Sequence, residues 1–137
     1  MNINVSYTPK ACTDYVETVE IDGKEIEREV KATFSGSVVL RKPSFEERLE
    51  LSANPDVVDM INNSDNQKEK KITPQQMKTI ISMVKWSYKF FEKVDLKRLK
   101  DGVHFQNLDE LRLDPTGGPI LQDIAMKLSY GFEMGNS

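Results

Sequence analysis

Reactive and metal-binding side chains are scarce in this sequence of 137 residues. Its one cysteine, Cys12, excludes an internal disulfide and a cysteine-based zinc site. Its one histidine, His104, argues against most metal centres and acid–base constellations. Nothing near either residue supports a nucleophilic Cys–His pair, so His104 is interpreted as a surface or core histidine and Cys12 as a structural or incidental residue.

Long apolar runs and glycine-rich phosphate loops are also missing. No run of about 18 apolar residues occurs, so no transmembrane helix is expected. The segment 1–5 has neither a basic start nor an apolar stretch, so no signal peptide is expected. The only adjacent glycines, Gly117 and Gly118, precede Pro119, which lacks an amide donor, and they predict a turn. These absences favour a small protein without cofactor or metal that is not an enzyme.

Charge is present but segregated along the chain. The formal net charge is −3. Residues 14–65 carry thirteen acidic and six basic side chains, whereas residues 68–100 carry ten basic and three acidic ones. The basic block has three interpretations: a phosphate-binding surface, a partner for the acidic flanks within one fold, or a solvated helix face.

The first third of the chain has β patterning. Apolar residues alternate from Tyr15, Asp22-Gly23 is typical of a type I′ turn, and Thr33 to Leu40 is rich in β-branched and aromatic residues. We therefore predict a β-meander or a long hairpin over 15–40, with a bulge or bend at Gly36. Residues 1–13 are interpreted as an extended arm or a short strand.

Helix signals follow. Ser44 and Glu47 form a predicted capping box at the start of a short helix. Residues 62–71 are wholly polar and predict a loop. A helix is predicted from Pro74 to about Lys93, a short one capped by Asn107, and a last one from Pro119 to Tyr130.

The helix predicted over 74–93 is apolar on two sides. At about 100° per residue, one predicted core face contains Met77, Ile80, Ile81, Val84, Tyr88 and Phe91. The opposite facet consists of Met83, Trp86 and Phe90, and a stripe of lysines (Lys78, Lys85, Lys89 and Lys93) lies beside the core face. Either the helix from Pro119 covers the second facet, or the facet binds a protein partner. The candidate partner-binding residues are Met83, Trp86, Phe90, Lys85, Lys89 and Lys93.

Several short stretches from Phe34 to Asn136 carry a family resemblance. They are 34–40 with Pro43-Ser44 and Glu46-Glu47-Arg48, then 94–96, 107–111, 117–121, Gly131 and Gly135-Asn136. In these stretches the chain resembles the tail assembly chaperones of long-tailed bacteriophages. The acidic hairpin over 14–30 has no counterpart in that resemblance.

The resemblance implies a protein-binding role in viral tail assembly. Such a chaperone binds the tape measure protein, keeps it soluble and recruits the major tail protein. It acts in the host cytoplasm, self-associates, and is absent from the mature virion. The resemblance also implies a longer form made by a programmed frameshift in many members.

Two other functions stay open at this point. One is a structural protein of tail completion or of the connector, and the other is a small nucleic-acid-binding regulator that uses the lysine stripe. The predicted fold is α+β, with a small N-terminal antiparallel β-hairpin or meander followed by a mainly helical C-terminal part. We expect a single domain over 1–137, divided into a β-rich part (1–43), short helices (44–61), a flexible loop (62–72) and a helical part (73–137).

Overall fold

A computed structural model describes residues 3–53 and 74–130, and it has the predicted α+β fold. The strands are β1 (Asn4–Tyr7), β2 (Tyr15–Ile21), β3 (Lys24–Val30), β4 (Phe34–Arg41), β5 (Phe91–Arg98) and β6 (His104–Phe105). A four-stranded antiparallel sheet in the order β1-β4-β5-β6 carries helices on one face, and a separate two-stranded hairpin, β2-β3, extends from it. The helices are α1 (Phe45–Ser52), α2 (Pro74–Ser87), α3 (Leu108–Leu113) and α4 (Gly118–Tyr130).

The central strand is β4, which pairs with β1 on one side and β5 on the other. Its alternate residues Phe34, Val38 and Leu40 are buried beneath the helices, because successive side chains of a strand point to opposite faces. Val94 and Leu96 of β5 continue this buried face. The sheet therefore has one apolar face that packs on helices and one polar face.

The prediction of a meander or a long hairpin over 15–40 is confirmed as a hairpin over 15–30. Asp22 and Gly23 connect the strands with positive φ angles of 51° and 78°, as a type I′ turn requires. Tyr15 pairs with Val30 and Ile21 with Lys24. The next strand, β4, pairs with β1 and β5 instead of extending the hairpin.

The helix predicted to reach Lys93 is shorter. α2 ends at Ser87, a 3₁₀ turn covers Tyr88–Phe90, and the chain then enters β5. The described residues of the part 73–137 are mainly helical, as predicted, but this part also contains the strands β5 and β6, which the sequence analysis did not predict. Residues 94–97 alternate apolar and polar residues at period two, and the stretch 91–98 pairs with β4 in preference to extending the helix.

The core lies between the sheet and the helices α2 and α4. α4 buries Ile120, Leu121, Ile124, Ala125 and Leu128, the apolar positions expected for a helix that begins near Pro119. α2 buries Thr79, Met83 and Ser87 on its inner side. The predicted core face of this helix is thus wrong in part, since Met77 is 42% and Ile81 46% exposed.

The predicted capping box at the start of α1 is confirmed. The Ser44 hydroxyl accepts a hydrogen bond from the Glu47 backbone amide, and the Glu47 carboxylate accepts one from the Ser44 backbone amide. Arg41 donates two hydrogen bonds to the same carboxylate, at 2.7 and 2.9 Å. The Trp86 indole then donates to the Glu47 carbonyl oxygen at 3.0 Å, so α1 is attached to both β4 and α2.

Other helix and turn predictions have mixed outcomes. Asn107 caps α3, as predicted, because its side-chain oxygen accepts a hydrogen bond from the Glu110 backbone amide. Gly117 ends a 3₁₀ turn and Gly118 begins α4, in agreement with a turn at the glycine pair. The part of the predicted short helices after residue 53 and the predicted flexible loop over 62–72 fall outside the described residues.

Substitution of Gly36 by alanine is expected to destabilise the fold strongly. Gly36 has a φ of +110°, and a Cβ there would overlap the carbonyl oxygen of Asp95 on β5. We expect a loss of about 3 kcal/mol in the free energy of unfolding, since backbone strain and overpacking add. The control is Gly23→Ala, which has a positive φ of +78° but open space around it, and it should lose about 1 kcal/mol. Urea unfolding measures both variants. If the two variants lose the same free energy of unfolding, the close approach of β4 and β5 at Gly36 is not the cause.

The Glu47 carboxylate should contribute a pH-dependent share of stability. Hydrogen bonds from the Arg41 guanidinium, assisted by Ser44, lower the pKa of Glu47 from 4.5 to about 2. Because the folded-state pKa is lowered, the contribution is fully present above pH 4.5 and is lost as the pH falls towards 2. The difference in unfolding free energy between wild type and Glu47→Gln, measured in urea, should therefore shrink between neutral and strongly acidic pH. A constant difference would refute this assignment.

Candidate protein-binding surfaces

The facet predicted to bind a partner is part of the core. Met83 and Phe90 are buried, and Trp86 is half-buried with its ring 4.8 Å from that of Phe90 in an edge-to-face contact. Met83 packs with Leu51 of α1 and Ala125 of α4. The facet is therefore covered within the fold by α4, the helix predicted from Pro119, together with α1. Its three side chains do not form an exposed apolar surface.

The predicted lysine stripe is divided between elements. Lys85 is exposed on α2, but Lys89 lies in the 3₁₀ turn and forms an ion pair with Glu50 at 2.8 Å. Lys93 lies on β5. Because the helix ends at Ser87, these three lysines do not form one continuous helical row.

Cys12 and His104 are placed in different surroundings. Burial and the charge of Asp123 raise the pKa of the Cys12 thiol, which disfavours the reactive thiolate. His104 is exposed on the edge strand β6, where its Nε2 lies 2.6 Å from Asp95 Oδ1. We therefore assign Cys12 and His104 no shared catalytic role. Within residues 3–53 and 74–130, no group of three or more His, Cys, Asp or Glu side chains is suited to hold a metal ion.

The β2-β3 hairpin offers the most distinctive surface of the described structure. It packs mainly against itself and is attached at its base, where the Thr33 amide donates to the Ala11 carbonyl at 2.9 Å. The Ala32 amide also donates to the Asp14 carboxylate at 2.7 Å. An isolated two-stranded hairpin is only marginally stable in water, so a partner that packs on an apolar face of this hairpin would stabilise it.

One face of the hairpin is mostly apolar. Register and strand parity place Tyr15, Val19, Ile21, Ile26 and Val30 on this face, which we call the apolar hairpin face. Its central cross-strand pair is Val19 with Ile26, and Ile26 is 44% exposed. The face also holds an ion pair between Glu17 and Arg28.

The apolar hairpin face continues into a concave surface at the hairpin base. Tyr15 and Val30 line a groove of about 270 Å³ together with Pro119 and Ile120 at the start of α4. A second hollow of about 520 Å³, lined by Phe34 and Leu99 among others, shares residues with it and adjoins it. The two hollows share Ala11, Thr33, Pro119 and Ile120.

A carboxylate network forms one wall of the groove. Asp123 of α4 accepts hydrogen bonds from the Tyr7 hydroxyl at 2.7 Å and the Lys10 amide at 2.8 Å. Burial and the contact with Asp123 raise the pKa of the Tyr7 hydroxyl. The ammonium group of Lys10 lies 4.2 Å from the centre of the Tyr15 ring, so the hairpin base is held against the body by polar contacts.

The opposite face of the hairpin is acidic. Parity and register place four glutamates on it with Val16 and Thr18, and we call this surface the acidic hairpin face. Glu20 pairs directly with Glu25 across the strands. Lys31, beyond the end of β3, lies 2.5 Å from Glu29. The glutamates are Glu20, Glu25, Glu27 and Glu29.

Sequence reasoning identified the hairpin and the alternation of its residues, but it did not single out the acidic face. The signal was the spacing by two of Glu25, Glu27 and Glu29, which assigns the three carboxylates to one side of a strand. The apolar positions Ile26 and Val30 have the opposite parity. The register across the turn then decides which residues of β2 join each face.

Comparisons with protein-family models, with curated proteins and with solved structures give no match for this chain. No helix among the described residues is long and apolar enough to cross a membrane.

Removal of the hairpin should leave the body folded. We expect that replacing residues 16–29 by a short Gly-Ser turn changes the free energy of unfolding by less than about 1 kcal/mol, because a lone hairpin is itself marginally stable. The strand β4 keeps both of its neighbours in this variant. Urea unfolding followed by Trp86 fluorescence measures the effect. Loss of the cooperative transition would show that the hairpin is part of the core.

Proposed function

We propose that this chain is a tail assembly chaperone of a long-tailed bacteriophage, a protein that binds the tape measure protein and recruits the major tail protein in the host cytoplasm. The proposal combines the family resemblance over 34–136 with one structural observation. That observation is the apolar hairpin face, which projects from the body and continues into the groove beside Pro119 and Ile120. On this proposal the protein acts through binding and has no catalytic role.

The shape of the surface supports a helical partner. A helix with its side chains is about 10 Å across, and an amphipathic helix binds by laying its apolar side into an apolar groove. Tyr15, Val30 and Ile120 line the groove, and the Val19–Ile26 pair lies further along the same face of the hairpin. A long, largely helical tape measure protein would supply many such segments in succession.

The proposed contact is tested by substitution on the two faces of the hairpin. Co-expression with the tape measure gene of the same phage should increase the soluble fraction of the tape measure protein. Ile26→Asp introduces a charge at the centre of the apolar hairpin face, and it should weaken binding at least about tenfold, as loss of an interface anchor does. Val16→Asp is the matched control, because Val16 is exposed on the opposite face of the same hairpin.

Three outcomes of this experiment count against the proposal in different ways. If the wild-type chain leaves the tape measure protein insoluble, the chaperone function is wrong. If Ile26→Asp solubilises it as well as wild type does, the apolar hairpin face is not the contact. Detection of the chain in purified virions by mass spectrometry would instead support a structural protein of tail completion or of the connector.

A further inference from the structure

The groove at the hairpin base has an apolar centre. Its two hollows share Ala11, Pro119 and Ile120, together with Thr33. The second hollow adds Leu99, an apolar side chain that is 53% exposed. The Thr33 amide donates to the Ala11 carbonyl oxygen at 2.9 Å, and the Leu99 amide donates to the Thr33 carbonyl oxygen at 3.0 Å. These backbone bonds hold the centre in place before any partner arrives, which lowers the ordering cost of binding.

Basic side chains stand on both sides of this apolar centre. Lys10 and Lys31 line the first hollow only, whereas Arg98 and Lys100 line the second hollow only. We call these four residues the basic rim. Because they flank the residues that both hollows share, a partner that covers the centre passes positive charge on each side of it.

The charge of the basic rim is only partly neutralised within the fold. Arg98 and Lys31 have carboxylate partners. Lys10 and Lys100 form no ion pair in the described part of the chain, and both are exposed. The Lys10 ammonium group instead lies over the Tyr15 ring. One unneutralised lysine therefore remains beside each hollow.

Little negative charge opposes these lysines at the groove. Asp123 lines the first hollow, but its carboxylate accepts hydrogen bonds from the Tyr7 hydroxyl and the Lys10 amide. No other carboxylate of the described residues lines either hollow. The glutamates of the acidic hairpin face lie on the side of the hairpin opposite to the one that continues into the groove. An apolar centre between two cations is complementary to an apolar strip that carboxylates border.

We propose that this groove binds an amphipathic helix whose apolar side is bordered by glutamate or aspartate. The apolar side chains of that helix pack on the centre of the groove and on Leu99, and its carboxylates pair with Lys10 and Lys100. The apolar contact provides the binding surface, and the charged pairs select which helices bind. The inference rests on the proposed function, since it specifies which segments of the tape measure protein would bind.

Two designed peptides test the charge preference. One is a labelled helical peptide with leucines at a spacing of three and four residues, bordered by glutamates, and the other has lysine at each glutamate position. Fluorescence anisotropy at low salt should show at least about tenfold tighter binding of the glutamate peptide. The chain has a formal net charge of −3, so a general charge effect would favour the lysine peptide instead. Salt should reduce the preference, because exposed charges are screened over about 10 Å at 0.1 M ionic strength.

Reversal of the rim charge should reverse the preference. Lys10→Glu with Lys100→Glu should weaken binding of the glutamate peptide at least about tenfold and strengthen binding of the lysine peptide, which also shows that the variant is folded. Leu99→Asp should weaken binding of the glutamate peptide, because a charge replaces an apolar contact. The matched control is Lys78→Glu with Lys97→Glu, which changes the net charge equally at exposed positions that line neither hollow and should bind like wild type.

Several results would overturn the inference. They are failure of the glutamate peptide to bind, equal affinity of the wild-type chain for the two peptides, and equal weakening by the rim variant and its control. A single-stranded oligonucleotide that binds more tightly than the glutamate peptide, and that the rim variant no longer binds, would assign the rim to nucleic acid instead.

Solubilisation of the tape measure protein, measured with the same variants, separates this inference from the chaperone function. If the wild-type chain solubilises that protein but binds both peptides equally, only the charge preference is wrong. If the chain prefers the glutamate peptide but leaves the tape measure protein insoluble, the chemistry of the groove stands and the chaperone function is wrong.

Discussion

The pairing of β4 with β5 is the constraint on which the rest of the structure depends. It joins the first third of the chain to the second half, because Phe34 pairs with Arg98 and Leu40 is opposite Phe91. Its close approach at Gly36, where only hydrogen fits against the Asp95 carbonyl, sets this register. The buried residues Val38 and Val94 then face the same helices, so the core forms only when this pairing is in place.

The same pairing determines where the projecting hairpin stands. β2 and β3 are inserted between β1 and β4, and the two ends of the insertion meet where Ala11 bonds to Thr33. The hairpin thus leaves the sheet beside Pro119 and Ile120, at the start of α4. This geometry places an apolar strand face beside the groove without disturbing the core, and it separates the surface that we propose as a binding surface from the residues that stabilise the fold.

The distribution of charge also differs between the folded body and the projecting hairpin. Within the body, cations are neutralised locally: Arg41 bonds to Glu47, and Arg98 bonds to both Asp101 and Asp114. The Thr116 hydroxyl and amide, together with Arg98, lower the pKa of Asp114 to about 2. One face of the hairpin instead carries several glutamates, and the outer side of α2 carries lysines without an acidic residue on the same helix.

The amino-acid sequence by itself determined the local structure. The type I′ turn at Asp22-Gly23, the capping box at Ser44 and the cap at Asn107 depend on a few neighbouring residues, and each was predictable. The α+β class followed from the change of apolar period from two to 3.6. Tertiary structure alone decided the secondary structure of residues 88–98. Their apolar pattern is compatible with a helix, but they form a turn and a strand because β5 forms hydrogen bonds with β4. Tertiary structure also decided which side of α2 is buried, since both of its sides are apolar and only contact with α1 and α4 selects Met83 over Met77.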